Sequence, residues 1–317
     1  MNRGLVTAAV TAAAVAVFIV ILPFLLDGYH EGIVADVAIY FIAILGLNIL
    51  TGYTGQISIG HGAFMMIGGY TTVIMSHDHH TNLIATLPLA AAVTFVCGLL
   101  VGLPALRLSG VYLALATFAL AISVPQLPLK FSKFLGGSNG LQASHTVSHL
   151  WLYTVSWSCA AIAFVAAWLL LRGRIGRAFR SVRDSEVAAV SSGVSLPIYK
   201  TFAFGVSAAY AGVAGSLFVL ATNGFAQPNE FGILLSLKIL IGAAVAGLGS
   251  LWGLVVGAVF VGLLPEISSS VPFIGPSHGQ DLVFGLVVIL VMLLLPNGFA
   301  GLLARIQAAI KSSPKTS

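Results

Sequence analysis

Long apolar runs, separated by short polar or glycine-rich breaks, follow one another along the chain. A helix rises 1.5 Å per residue, so about 20 apolar residues cross a hydrocarbon layer of about 30 Å. The pattern therefore predicts an all-α polytopic membrane protein with about ten transmembrane helices. The predicted spans are 5–26, 33–51, 62–76, 83–103, 108–127, 151–171, 201–222, 233–250, 252–271 and 281–295.

Two apolar stretches are too long for one crossing. The stretch 233–271 would extend about 58 Å as a helix, and we place its turn in the glycine-rich segment 247–253. The stretch 33–76 would extend about 66 Å, and its break falls at 51–56. The run 5–26 lacks a small-residue cleavage site, so we expect a retained first span rather than a signal peptide.

Basic residues predict the orientation of the spans. Arginines cluster between positions 172 and 183, and the positive-inside rule places such a loop in the cytoplasm. With ten spans, both termini are then cytoplasmic as well. The block of four spans from two to five enters the membrane from the outside, whereas the block from seven to ten enters from the inside. This opposite orientation predicts two inverted four-helix repeats. We divide the chain into a transmembrane domain, 1–304, with a cytoplasmic loop at about 172–200, and a short basic cytoplasmic tail, 305–317.

The composition agrees with lipid as the main solvent. Hydrophobic residues make up 58% of the chain and charged residues only 7%, against about 25% charged residues in soluble domains. The net charge of +5 comes mainly from the loop and the tail, so it indicates topology rather than nucleic-acid binding. No phosphate-binding loop motif, metal-ligand set or nucleophile constellation occurs, so we expect no catalytic residue, metal or cofactor in this chain.

Polar side chains and glycines alternate with apolar residues between positions 46 and 64. Irregular backbone at membrane depth is tolerated where it lines a cavity or is buried in protein. We therefore predict that Asn48, Gln56, Ser58 and His61 border a solute pathway. The alternative is a polar loop whose glycines allow close helix packing.

The basic loop carries signals for a short helix. Asp184 and Glu186 favour a helix start, and Gly193 favours its end. The small side chains Ala188 and Ala189 between them would permit close approach to a groove on a separate protein. The alternative is a plain topology loop.

Lys238 and Glu266 are charged residues within predicted spans. In a hairpin of two antiparallel helices they lie at similar depth, and an isolated charge there is costly. We predict an intramembrane ion pair; the alternative is that each side chain reaches separately toward the interface.

Several segments together resemble the permeases of branched-chain amino-acid ABC transporters, and in particular their M-type subunit. The resemblance covers most of the chain. It rests on GLNILTGYTGQISIGHGAF at 46–64, RLSGVYLA at 107–114, GRAFRSVRDSEVAA at 176–189, GLGSLWG at 247–253 and PNG at 296–298.

This resemblance implies a machine of several subunits in the bacterial cytoplasmic membrane. The loop residues Arg183, Asp184, Glu186, Ala188, Ala189 and Gly193 would couple the permease to an ATPase. The implied partners are a second homologous permease subunit, two ABC ATPase subunits that hydrolyse ATP, and an extracytoplasmic solute-binding protein. This chain would form half of the pathway for branched-chain or related amino acids.

Two alternatives stay open at this point. The same permease class resembles importers of urea, amides and small organic acids. A self-contained proton-coupled secondary transporter using His61 or Asp36 is also conceivable, although intramembrane carboxylates are scarce.

Overall fold

The computed structural model describes residues 27–78, 82–108, 110–144 and 146–269, with short helical pieces between 285 and 301. The predicted first span and the basic tail lie outside the described residues. The predicted last span is described only in fragments.

The described chain is built mainly of α-helices. The helices are α1 (Gly28–Leu47), α2 (His61–Asp78), α3 (Leu83–Ala105), α4 (Val111–Ser123), α5 (Leu127–Lys130), α6 (Ser132–Leu135), α7 (His149–Arg172), α8 (Arg174–Asp184), α9 (Glu186–Ser191), α10 (Leu196–Ala221), α11 (Ile233–Ala246) and α12 (Leu254–Ser269). A π-helix (Asn48–Tyr53) continues α1, and 3₁₀ turns occupy Val124–Gln126, Gly137–Asn139 and Pro228–Phe231.

Six helical stretches of the described residues are long and apolar enough to cross a membrane. They are Gly28–Tyr53, Leu83–Ala105, Val111–Lys130, His149–Arg172, Leu196–Ala221 and Pro228–Ala246. Helices α2 and α12 occupy the other two predicted spans that the structure describes, with 18 and 16 residues. The all-α polytopic membrane fold is thus confirmed. The count of ten, the inverted repeats and the positions of the termini stay predictions.

Helix α10 lies at the centre of the bundle and packs against α1, α2 and α3. Its glycines let the neighbouring backbones approach closely, as is common between membrane helices. A Cβ on Gly212 would overlap the side chain of Thr94, and one on Gly215 would overlap the carbonyl of Met65. The helices next to α10 are therefore held at distances that only small residues allow.

Both predicted breaks are confirmed. Helix α11 ends at Ala246 and α12 begins at Leu254, and the turn between them uses the positive φ angles of Gly247 and Gly249. The first break comes slightly later than predicted, because the π-helix carries helical backbone to Tyr53. Irregular chain then runs to Gly60.

A small strand pair, which the sequence pattern did not predict, covers the end of α2 opposite the break. Strand β1 (Leu141–Gln142) pairs antiparallel with β2 (Phe225–Ala226). The Ser144 hydroxyl donates to the Ser76 carbonyl over 2.6 Å, which fixes this loop to α2.

Candidate functional site

The break after α1 is held by its own polar side chains. The Thr54 hydroxyl donates to the Leu50 carbonyl over 2.5 Å, and the Thr51 hydroxyl donates to the Gln56 carbonyl over 3.0 Å. The Gln56 side-chain amide donates to the Thr54 hydroxyl over 2.9 Å. These bonds satisfy backbone groups that the end of the helix leaves open, as irregular chain at membrane depth requires.

Asn48 joins this break to the turn between α11 and α12. Its side-chain nitrogen donates to the Ser250 carbonyl over 3.0 Å, and its Oδ1 accepts from the Gly249 amide over 2.8 Å. The side-chain amide of Asn48 thus bonds to two backbone groups of a segment about 200 residues away.

Ser58 lies just before α2, and His61 is the first residue of that helix. The Ser58 hydroxyl accepts from the Gly60 amide over 3.3 Å. His61 Nε2 lies 3.0 Å from the Ser207 hydroxyl, which donates to the Gly46 carbonyl over 2.8 Å. Because that hydroxyl proton is used, His61 donates from Nε2, and His61 Nδ1 has no hydrogen-bond partner among the described residues.

All four predicted pathway residues are buried, with at most 6% of their surface exposed. Each makes a hydrogen bond within the chain. Two apolar clefts, of about 220 and 260 Å³, lie elsewhere between helices, and none of the four residues lines them. The contact of these residues with a solute stays a prediction.

The basic loop folds into two helices, and the predicted short helix is confirmed as α9. The Ser185 hydroxyl accepts from the Ala188 amide over 3.3 Å, a side-chain cap of the kind that starts helices. Gly193 follows the last turn with φ of +82°. The sequence missed α8, which packs on α10 through the buried ring of Phe179, whose centroid lies 6.4 Å from that of Tyr199.

The charged residues predicted for coupling are paired within the loop. The Glu186 carboxylate lies 2.6 Å from the Lys200 ammonium, at the start of α10. Asp184 lies 3.1 Å from the Arg183 guanidinium. Ala188 is exposed and Ala189 is buried, so the two alanines do not share one surface.

The loop exposes large apolar side chains that the sequence analysis did not single out. Val187 and Val190 are 78% and 55% exposed on α9, and Ile198 is 67% exposed at the start of α10. The spacing of the two valines, three residues apart on one helix face, was the available signal.

Arg183 brings the two predicted sites together. Its Nη1 donates to the Gly52 carbonyl over 3.0 Å. The last turn of α8 is therefore bonded to the π-helix that also carries Asn48. The sequence placed Arg183 in the loop and Asn48 in the pathway but did not connect them.

The predicted ion pair between Lys238 and Glu266 stays a prediction. Glu266 accepts a hydrogen bond of 2.7 Å from the hydroxyl of Tyr29, in the first turn of α1. Over the part of the chain that the structure describes, no group of three or more metal-ligating side chains occurs.

Comparison with known proteins gives one family over most of the chain. A family model described as branched-chain amino acid transport system / permease component matches residues 29–293. The LivM permease protein of the high-affinity branched-chain amino acid transport system of Salmonella typhimurium is 30% identical, over 94% of this chain and 76% of the relative.

Two other relatives are more distant. The LivH permease protein of the Escherichia coli system is 24% identical, over 83% of this chain and 91% of the relative. The autoinducer 2 import system permease protein LsrC of Klebsiella pneumoniae is 29% identical, over 66% of this chain and 61% of the relative. No solved structure matches the chain significantly.

Proposed function

This chain belongs to the family of permease components of branched-chain amino acid transport systems, and we propose that it is the transmembrane permease subunit of an ABC importer. In this proposal it forms half of the translocation pathway for branched-chain or related amino acids. A separate ATPase supplies the energy.

The exposed apolar surface of the basic loop is the observation that carries the proposal. Val187 and Val190 lie on a short helix flanked by arginines, and their exposure would be unfavourable in water. Exposed apolar residues within a polar surround mark protein–protein contact sites. A groove of an ATPase subunit would bury these valines, and the neighbouring charge of Asp184 would lie at the rim.

The proposed assembly contains a second homologous permease, two ABC ATPase subunits and an extracytoplasmic solute-binding protein. Similarity to both LivM and LivH supports the second permease, because these are two permease proteins with the same system name. ATP hydrolysis takes place on the ATPase subunits, so this chain is a transporter component and not an enzyme.

The proposed setting is the bacterial cytoplasmic membrane. The loop 172–200 lies on the cytoplasmic side, where the positive-inside rule puts its arginines. Ten spans with both termini cytoplasmic, arranged as inverted repeats, complete the proposed topology. The six long apolar helices and the two shorter ones among the described residues support a multi-pass membrane protein.

The break after α1 is the proposed border of the solute pathway. Polar residues from Asn48 to His61 interrupt an otherwise apolar bundle at this point. Substrate sites of transporters are typically formed by discontinuous helices near the middle of the membrane, and π-helical turns are frequent at functional sites.

The solute class is branched-chain or related amino acids. A permease for urea, amides or small organic acids is the second candidate, and one observation favours keeping it. The relative LsrC is named as an import permease for autoinducer 2, so relatives of this chain are named for solutes other than amino acids.

Co-purification tests the proposal. The tagged chain is purified in mild detergent from its host, and bound proteins are identified by mass spectrometry. We expect an ATP-binding subunit that is lost in the Val187→Asp variant and retained in a Phe134→Asp variant, because both side chains are exposed but Phe134 lies on α6, in the loop between the fifth and sixth predicted spans. Purification of the intact chain without any ATPase subunit would contradict the proposal.

A further inference from the structure

Two glycines from distant segments cross at the base of the break. A Cβ on Gly52 would overlap both Asn48 Oδ1 and the amide nitrogen of Gly249. A Cβ on Gly249 would lie 3.1 Å from Arg183 Nη1 and 3.2 Å from the Gly52 carbonyl oxygen. The two backbones therefore meet at a distance that glycines alone permit. We call this crossing, with Asn48 and Arg183, the Gly52–Gly249 joint.

The joint is bonded on both sides. Asn48 ties the π-helix to the turn between α11 and α12 through Gly249 and Ser250. Arg183 ties the same π-helix to α8 through the Gly52 carbonyl. Three segments that are far apart in sequence thus share one small set of hydrogen bonds.

Arg183 is held in position for this bond. Its Nε and Nη2 both lie 3.1 Å from Asp184 Oδ1, which leaves Nη1 directed at the Gly52 carbonyl. The planar guanidinium can bond to both groups at once, which the single ammonium of lysine does less well. Arg183 also stands three residues before Glu186, where α9 begins.

We propose that Arg183 is the positioning residue that transmits movement of the loop to the pathway. When an ATPase displaces α9, Arg183 carries the displacement to Gly52, and Asn48 carries it to the turn between α11 and α12. The two breaks in the bundle then move together with the loop. This inference rests on the proposed function, because it assumes an ATPase bound at α9.

The first test measures the number of ATP molecules hydrolysed per leucine imported. The intact complex is reconstituted in proteoliposomes with the Arg183→Gln variant. We expect ATP hydrolysis within about twofold of the wild type and a fall in leucine uptake of about tenfold, as loss of one charge-assisted hydrogen bond predicts. Uptake by Arg183→Lys should be higher than by Arg183→Gln, because the lysine ammonium keeps the positive charge and can still donate to the Gly52 carbonyl.

One variant provides a matched control. Arg177→Gln removes the same charge from the exposed face of the same helix, where no side-chain bond to the described residues is lost. It should keep the wild-type ratio of ATP to leucine. The same ratio in Arg183→Gln would overturn the inference while leaving the proposed function intact, whereas failure of the wild type to use ATP would overturn the proposed function.

A second measurement does not depend on Arg183→Gln. Spin labels replace the exposed residues Ser192, directly after α9, and Leu248 in the turn, in a chain that keeps Arg183 and whose two cysteines are replaced by serine. We expect the distance between the labels to change by less than ~3 Å when ATP and vanadate are added, because coupled interfaces shift by only about 1–2 Å relative to each other. A larger change would overturn the inference.

Discussion

The pair between Glu186 and Lys200 allows a quantitative prediction. The Lys200 side chain is 8% exposed and that of Glu186 is 48% exposed, with 2.6 Å between the charged atoms. Loss of one partner costs about 3–5 kcal/mol in a fully buried pair and at most about 1 kcal/mol at an exposed surface. For this half-buried pair we expect Glu186→Gln to cost about 2 kcal/mol.

The lost free energy should destabilise the docked position of the loop rather than the fold of the whole bundle. Helix α9 has six residues and cannot persist without its contacts. A cost of about 2 kcal/mol lowers the docked population of the loop about 30-fold. Glu186→Lys should cost more, because it also places a second positive charge near the buried ammonium of Lys200.

Hydrogen exchange of the amides of residues 188–192 measures this effect. We expect about 30-fold faster exchange in Glu186→Gln than in the wild type, with the amides of α10 unchanged. The same variants should lose ATPase association and solute uptake in proportion. The double variant Glu186→Lys with Lys200→Glu restores opposite charges and should recover most of the protection. Exchange of Glu186→Gln within about twofold of wild type, or no recovery in the double variant, would refute the reasoning.

Three further predictions concern the joint and the membrane charges. Gly52→Ala should abolish stable assembly, seen as loss of a monodisperse peak in detergent chromatography, whereas Gly193→Ala, which meets open space at positive φ, should cost only about 1 kcal/mol. Asn48→Ala leaves the partly buried Gly249 amide and Ser250 carbonyl without partners and should lower stability by about 2–3 kcal/mol in thermal unfolding, and a loss under about 0.5 kcal/mol would argue against a stabilising role for these two hydrogen bonds. Charge reversal of either Lys238 or Glu266 should reduce the yield of inserted protein, and reversal of both should restore it; failure of that rescue would remove the proposed ion pair.

Sequence reasoning succeeded where one residue type had a strong local effect. The glycines of 247–253 and the Thr-Gly-Tyr-Thr-Gly-Gln segment predicted both breaks, because apolar helices of 39 residues or more cannot fit one bilayer crossing. The capping signals around Ser185 and Gly193 likewise predicted α9. The resemblance to the permease family rested on motifs that include the first break and the basic loop, and the family model that matches residues 29–293 confirms it.

Long-range contacts could not be predicted from the chain alone. The bond from Arg183 to Gly52 joins residues separated by 131 positions, and neither residue type indicates its partner. Asn48 was predicted as a pathway residue because it is polar at membrane depth. The structure adds that its side chain binds the turn after α11, which no periodicity could have indicated.

In the basic loop, too, the helix could be predicted from local sequence signals, but the contacts of its side chains could not. Glu186 was predicted to contact an ATPase, and the structure pairs it with Lys200 inside the chain. The exposed valines on α9 were overlooked because valine is unremarkable in an apolar chain. Their exposure becomes informative only once α8 and α10 are seen to leave them uncovered.

Energised uptake by the reconstituted complex tests the central claim most directly. Proteoliposomes contain this chain and its co-purified subunits, and the solute-binding protein is added outside. Uptake of radiolabelled leucine is followed either with ATP enclosed in the lumen, on the same side as the loop 172–200, or with a pH gradient alone. We predict uptake that requires ATP and the ATPase subunits and does not respond to the pH gradient. Uptake driven by a pH gradient in vesicles that contain this chain alone would contradict the account.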